Sequence, residues 1–101
     1  MKHFVIKKGG NNSLMVMRRL GYAPYTNRQG VQSFVRRVHG SEFPRYHLYI
    51  NNENDHEIIC SVHIDQRAPS YQGTSAHGGD YDTPEVLKEI ERLQAFYQHS
   101  S

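Results

Sequence analysis

Residues 58–82, IICSVHIDQRAPSYQGTSAHGGDYD, hold the densest set of side chains able to do chemistry. His63 and Asp65 stand two residues apart, so a strand points both to one face. His77 and Asp80 follow in the turn HGGD, whose glycines allow the chain to fold back toward that strand. Two histidines with carboxylates form a donor set for zinc or another divalent transition metal, which makes His63, Asp65, His77 and Asp80 the candidate ligands, with His47 as a further member of the constellation. The same His63, Asp65 and His77 are candidate catalytic residues, because imidazole titrates near neutral pH and paired histidines can act as base and acid. A purely structural use is a His–Asp hydrogen-bond network that pins a long loop. Ser70, Ser75 and Cys60 are candidate nucleophiles, but none lies in a GxSxG elbow. Cys60 falls on an apolar strand face, where a small core residue is the simpler reading.

A second constellation is basic and aromatic. Arg18, Arg19, Arg28, Arg36, Arg37 and Arg45 are interleaved with Tyr22, Tyr25, Tyr46 and Tyr49. Arginines hold phosphates and tyrosines stack bases, so an RNA-binding surface is expected from Arg18, Arg19, Arg36, Arg37, Arg45, His47 and Tyr49. The net charge is only +2, but residues 1–50 carry nine Lys/Arg against one acid, and residues 51–101 carry three against nine. Such asymmetry suits a polyanion-facing surface or self-association. Halves that interleave in one sheet would mix the charges instead.

These side chains need elements to position them. Residues 3–8, HFVIKK, read as a short strand or an N-terminal arm, and residues 9–12, GGNN, as a breaker. Asn12 or Ser13 can cap a short helix with Leu14, Met17 and Leu20 at helical spacing and Gly21 just past its end. Residues 22–30 read as a loop, or as an edge strand broken at Pro24. Residues 31–38 alternate as a strand without a clean buried face. RYHLYIN places Leu48 and Ile50 on the core side, with His47 and Tyr49 opposite. In EIICSVHI, Ile58, Cys60, Val62 and Ile64 face the core, with Ser61, His63 and Asp65 on the other side. Matching the two apolar faces pairs Leu48 with Val62 and Ile50 with Cys60, which sets His47 opposite His63 and Tyr49 opposite Ser61. The final helix starts at Thr83 as cap with Pro84 at its first position, and its apolar face is Val86, Ile90, Leu93 and Tyr97, joined by Leu87.

The order (β)-α-β-β-β-α specifies an α+β domain: a three- to four-stranded antiparallel sheet with both helices on one face. A chain of 101 residues makes a single domain, with residues 1–10 as strand or arm and 98–101 as a frayed tail. No apolar run approaches the ~18–20 residues of a membrane span. One cysteine and no signal-like start fit a cytoplasmic protein.

Two resemblances add to this. FPRYHLYI, HIDQRAPSY and AHGGDYD resemble a set of small uncharacterised bacterial and archaeal proteins sharing the pattern PRxHLY…HxDQxxPSY…AHxGxYD. The pattern marks Arg45, His47, His63, Asp65, Gln66, Pro69, Ser70, Tyr71, His77, Gly79 and Tyr81 and implies no activity. The element order also resembles the HicA-type fold, a double-stranded-RNA-binding-like domain whose implied activity is RNA cleavage by a strand histidine in a Gly-Ser-x-His context. The corresponding stretch, Gly30-Val31-Gln32-Ser33-Phe34, has no histidine, so this resemblance carries the fold alone.

The sequence therefore leads to an RNA-binding module on an Arg/Tyr-rich sheet surface. A small metal-dependent or histidine-based hydrolase or nuclease is the alternative, and a homo-oligomer or partner-interaction protein the third reading.

Overall fold

The computed structural model describes residues 3–66, 79–80 and 83–96. Its elements are β1 (Phe4–Lys7), α1 (Ser13–Arg19), β2 (Ala23–Thr26), β3 (Gln32–Arg37), β4 (Arg45–Glu53), β5 (Glu57–Asp65), β6 (Gly79–Asp80) and α2 (Pro84–Gln94). The strands form one antiparallel sheet in the order β1-β5-β4-β3-β2, with β6 beside the end of β5. The architecture is α+β, as the hydrophobic patterning requires.

Two segments add strands to the expected meander. Residues 3–8 are no free arm, since Phe4 pairs with Cys60 and Ile6 with Ile58 along β5. Residues 23–26 form an edge strand with Pro24 inside it, opposite Phe34. An edge position tolerates a residue that has no N–H to donate.

The register of β4 on β5 follows from the two apolar faces. Leu48 meets Val62, Ile50 meets Cys60, His47 meets His63 and Tyr49 meets Ser61. Leu48, Ile58, Cys60, Val62 and Ile64 then point to one side, where Val16, Met17 and Leu20 of the α1 segment and Val86, Ile90, Leu93 and Phe96 of the α2 segment close a common core. Both helices start at the expected caps: Asn12 accepts from the Met15 N–H and Thr83 from the Val86 N–H. Past α1, Gly21 adopts a φ of 93°, the left-handed turn that ends the helix.

The helix faces differ in phase from the expectation. Leu14 and Leu87 are exposed, and Val16 and Phe96 take the buried places. Tyr97 lies outside the described residues. In α1, Leu14 and Val16, about 200° apart, flank the Met17–Leu20 side on opposite edges, so spacing alone does not choose between them.

Leu48 is fully buried at the centre of the sheet. Leu48→Ala is expected to destabilise the protein by about 2–5 kcal/mol, read as a lower midpoint of urea unfolding.

The two halves of the chain interleave, because β5 lies between β1 and β4. First-half cations accordingly meet second-half acids: Lys8 and Glu53 at 3.2 Å, Arg36 and Glu89 at 3.5 Å, Arg45 and Asp65 at 3.2 Å. The strong charge asymmetry along the sequence is thus partly cancelled in the fold.

Candidate functional site

The sheet face away from the helices carries alternate residues of four strands. Tyr25 of β2 opposes Ser33 of β3, Val35 of β3 opposes His47 of β4, His47 opposes His63 of β5, and Arg45 opposes Asp65. A polar row on an open sheet face would ordinarily be solvated. Here His47, His63 and Asp65 are each only 8% exposed, and Ser33 is 3% exposed. Polar groups buried to this degree must satisfy one another.

They do so around the Asp65 carboxylate. His63 Nε2 lies 2.7 Å from Oδ1, and His47 Nδ1 lies 3.1 Å from Oδ2. Arg45 Nε donates to the same Oδ2 at 3.2 Å. The other ring nitrogen of His47, Nε2, lies 2.7 Å from the Ser33 hydroxyl oxygen. Ser33 Oγ is also 3.3 Å from the Tyr25 carbonyl oxygen. Ser33, His47 and Asp65 therefore form a continuous chain of hydrogen-bonding groups, with His63 and Arg45 branching from the carboxylate.

Rings hold this chain in place. Tyr49 stacks on His47 with centroids 4.6 Å apart and planes 26° apart. Tyr25 meets the same imidazole edge-on at 5.8 Å, and His63 lies tilted against it at 5.0 Å. The Arg45 guanidinium sits 4.4 Å from the Phe43 ring centroid and 4.8 Å from that of Tyr25, within cation–π range of both. Burial alone would raise the Asp65 pKa. Hydrogen bonds from His47 and His63, and their charges, outweigh it and hold the carboxyl well below the usual carboxylate range. Asp65 is thus a fixed anion, and a carboxylate only accepts. It fixes a proton on each histidine nitrogen that faces it.

Of the residues expected in the site, the structure brings together His63, Asp65 and His47. His77 lies outside the described residues, as do Pro69, Ser70, Tyr71, Ser75 and Tyr81. Asp80 pairs through its backbone with Ile64 in β6. Cys60 is buried on the core side, where burial pushes its thiol up to about 12, so it is no nucleophile.

The expected RNA-contacting residues do not share one surface. Arg18 and Arg19 are exposed at the end of α1 and Arg37 at the end of β3. Arg36 lies on the helix side, over the Tyr46 ring and beside Glu89. Arg45 and His47 are buried on the opposite face and engaged with Asp65. Tyr49 stacks on His47.

Ser33 had no place among the nucleophiles expected from the sequence. The signal was the alternation of residues 31–38, which sets Ser33 and Val35 on one face. Arg37 and Val38 blur that face, and only pairing with β4 resolves it.

The cluster admits two kinds of chemistry. His47, His63 and Asp65 offer ligand atoms within 4.8 Å of one another, a group that could take a divalent transition metal. Alternatively, the carboxylate orients imidazoles for proton transfer. The nitrogens face Asp65 at hydrogen-bond length, and both carboxylate oxygens already accept from protein donors. That arrangement puts protons between the groups.

No protein-family model, curated protein or solved structure matches the chain. Among the described residues no helix is long and apolar enough to cross a membrane.

Proposed function

We propose that this domain is a small histidine-based hydrolase in which His47 is the general base and Asp65 its positioning residue. One observation carries the reading: a single buried carboxylate orients His47 so that its far nitrogen meets a hydroxyl at 2.7 Å. General bases work when the ring tautomer and direction are set by a partner on the other nitrogen. An RNA-binding role would draw on the exposed Arg18, Arg19 and Arg37, since Arg36 and Arg45 are engaged with Glu89 and Asp65. That thinner cationic set gives less support than the buried relay does.

The test uses purified protein with p-nitrophenyl acetate, bis-p-nitrophenyl phosphate and generic RNA, each with and without a chelator. At least one substrate is expected to turn over with no effect of chelation. His47→Gln should lower the rate by about 10²–10⁴-fold, the usual contribution of a positioned base. Turnover of none of the three, or a His47→Gln variant as active as wild type, overturns the reading. Turnover abolished by the chelator transfers the same residues to metal chemistry.

A further inference from the structure

We propose that Ser33 is the nucleophile of this site and that its substrates are small neutral carboxylic esters, cleaved through an acyl-serine intermediate. This rests on the hydrolase reading above and adds the reacting atom and the substrate class.

The connectivity is the first ground. Asp65 Oδ2 lies 3.1 Å from His47 Nδ1, and His47 Nε2 lies 2.7 Å from Ser33 Oγ. The carboxylate can only accept, so Nδ1 carries the proton. In the neutral ring Nε2 is then bare and, at 2.7 Å, is a nearer acceptor for the single serine hydroxyl proton than the Tyr25 carbonyl at 3.3 Å. This is the polarity of a Ser-His-Asp relay, which recurs on unrelated folds and in different chain orders. Here the order is Ser33, His47, Asp65, one residue from each of three adjacent strands.

Rigidity is the second ground. The hydroxyl, ring and carboxylate all stand on the central strands of the sheet. Tyr49 is stacked on the ring of His47 and Tyr25 meets its edge. A relay held by strands and rings keeps its geometry without reorganisation when charge develops.

Charge selects the substrate. Two arginines stand on this face: Arg45, whose Nε donates to Asp65, and the exposed Arg37, which lies opposite it and four residues, roughly 13 Å, along β3 from Ser33. Asp65 matches the Arg45 charge and Phe43 and Tyr25 cover its guanidinium, and Arg37 stands too far along β3, so neither is placed to hold a phosphate at Ser33. An uncharged acyl group needs no such partner.

In the acylation step Ser33 Oγ forms a bond to the carbonyl carbon, and its proton passes to His47 Nε2. The carbonyl π pair moves to oxygen, then returns to expel the alkoxide, which takes the proton from Nε2 and leaves as alcohol. Water then attacks the Ser33 ester, gives its proton to Nε2, and collapse releases the carboxylic acid as the proton returns to Ser33 Oγ.

The experiment treats the intact protein with diisopropyl fluorophosphate, which loses fluoride to an activated serine, and maps the adduct by peptide mass spectrometry. One adduct per chain on Ser33 is expected in the wild type, with none in His47→Gln. An adduct on Ser61, the other buried serine of this face, on any other residue, or no adduct at all, overturns the proposal. In parallel, Ser33→Ala should hydrolyse p-nitrophenyl acetate about 10³-fold more slowly or worse, with an unchanged circular dichroism spectrum. If Ser33→Ala keeps the wild-type rate while His47→Gln loses it, water is the nucleophile: this proposal falls and the hydrolase stands. If the wild type cleaves RNA or the phosphodiester but no ester, the acyl assignment falls alone. If it cleaves nothing, both fall.

Discussion

Asp65→Asn is expected to lower turnover by about 10³–10⁴-fold while leaving the protein folded, because the relay depends on an anionic partner for His47. An amide presents a carbonyl oxygen on one side and an NH₂ on the other. In Asp65 one oxygen serves His63 and the other serves both His47 and Arg45. The amide nitrogen must therefore displace a donor on one side. The side that serves two donors, one of them the permanently charged Arg45, keeps the carbonyl oxygen, so the NH₂ faces His63, and His47 loses the negative charge that stabilises its imidazolium as it takes the Ser33 proton. Asp65→Ala removes the charge without replacing its bonds and leaves Arg45 buried beside two unpartnered ring N–H groups. That variant is expected to lose about 3–5 kcal/mol, the usual penalty for breaking a buried ion pair.

The pH dependence carries the same signature. The folded Asp65 is held below its unfolded pKa of about 3.9, so the stability it supplies is present above that value and is lost as pH falls below it. The stability gap between wild type and Asp65→Asn, measured by urea unfolding, should be largest near neutral pH and shrink toward pH 2. A gap that holds constant with pH, or Asp65→Asn activity near wild type, argues against the arrangement.

The second large effect lies on the other side of the sheet. Glu89→Ala is expected to cost about 3 kcal/mol and to lower the melting temperature by roughly 10–20 °C. Glu89 is 4% exposed yet charged, and its carboxylate organises the contact between α2 and the rest of the core. The Tyr22 hydroxyl donates to Oε2 at 2.6 Å. Arg92 donates to both oxygens at 2.9 Å and to the Leu20 carbonyl at 2.7 Å, which ties α2 to the end of α1. Arg36 approaches Oε1 at 3.5 Å from β3. Both arginines are about a third exposed and can turn to water, so the penalty falls mainly on the lost bonds and the buried Tyr22 hydroxyl. Burial first, and then the Glu89 charge, raise the Tyr22 pKa far above the ordinary tyrosine value of 10.0. Stability from this hydroxyl is therefore complete below about pH 10 and lost as pH rises past it. Tyr22→Phe should unfold less steeply in alkali than wild type. A Glu89→Ala variant of wild-type stability would mean that the network adds nothing net.

Both clusters show how far the sequence could be read. The pairing of His47 with His63 was legible because Leu48, Ile50, Cys60 and Val62 leave one register that buries all four. The start of each helix was legible because Asn12, Thr83 and Pro84 are local signals that need no tertiary context. Ser33 was not, since the alternation of β3 is interrupted by Arg37 and Val38 and its role exists only once β4 lies beside it. Arg36 and Arg45 looked equivalent as cations, yet strand parity sends them to opposite faces, one to Glu89 and one to Asp65. Glu89 reads as one more surface charge among Glu85, Lys88 and Glu91. Its spacing told otherwise: Val86, Glu89, Ile90 and Leu93 follow the i, i+3, i+4, i+7 stripe of a buried face.

The relay makes one statement that can be observed without a substrate: in the neutral ring of His47 the proton sits on Nδ1, and Nε2 is bare toward Ser33. Two-bond ¹H–¹⁵N correlation of the histidine rings, recorded near pH 8, above the usual histidine range, reads this tautomer directly. The expected spectrum shows His47 protonated at Nδ1. A wild-type His47 protonated at Nε2 would make Ser33 the acceptor and contradict the account.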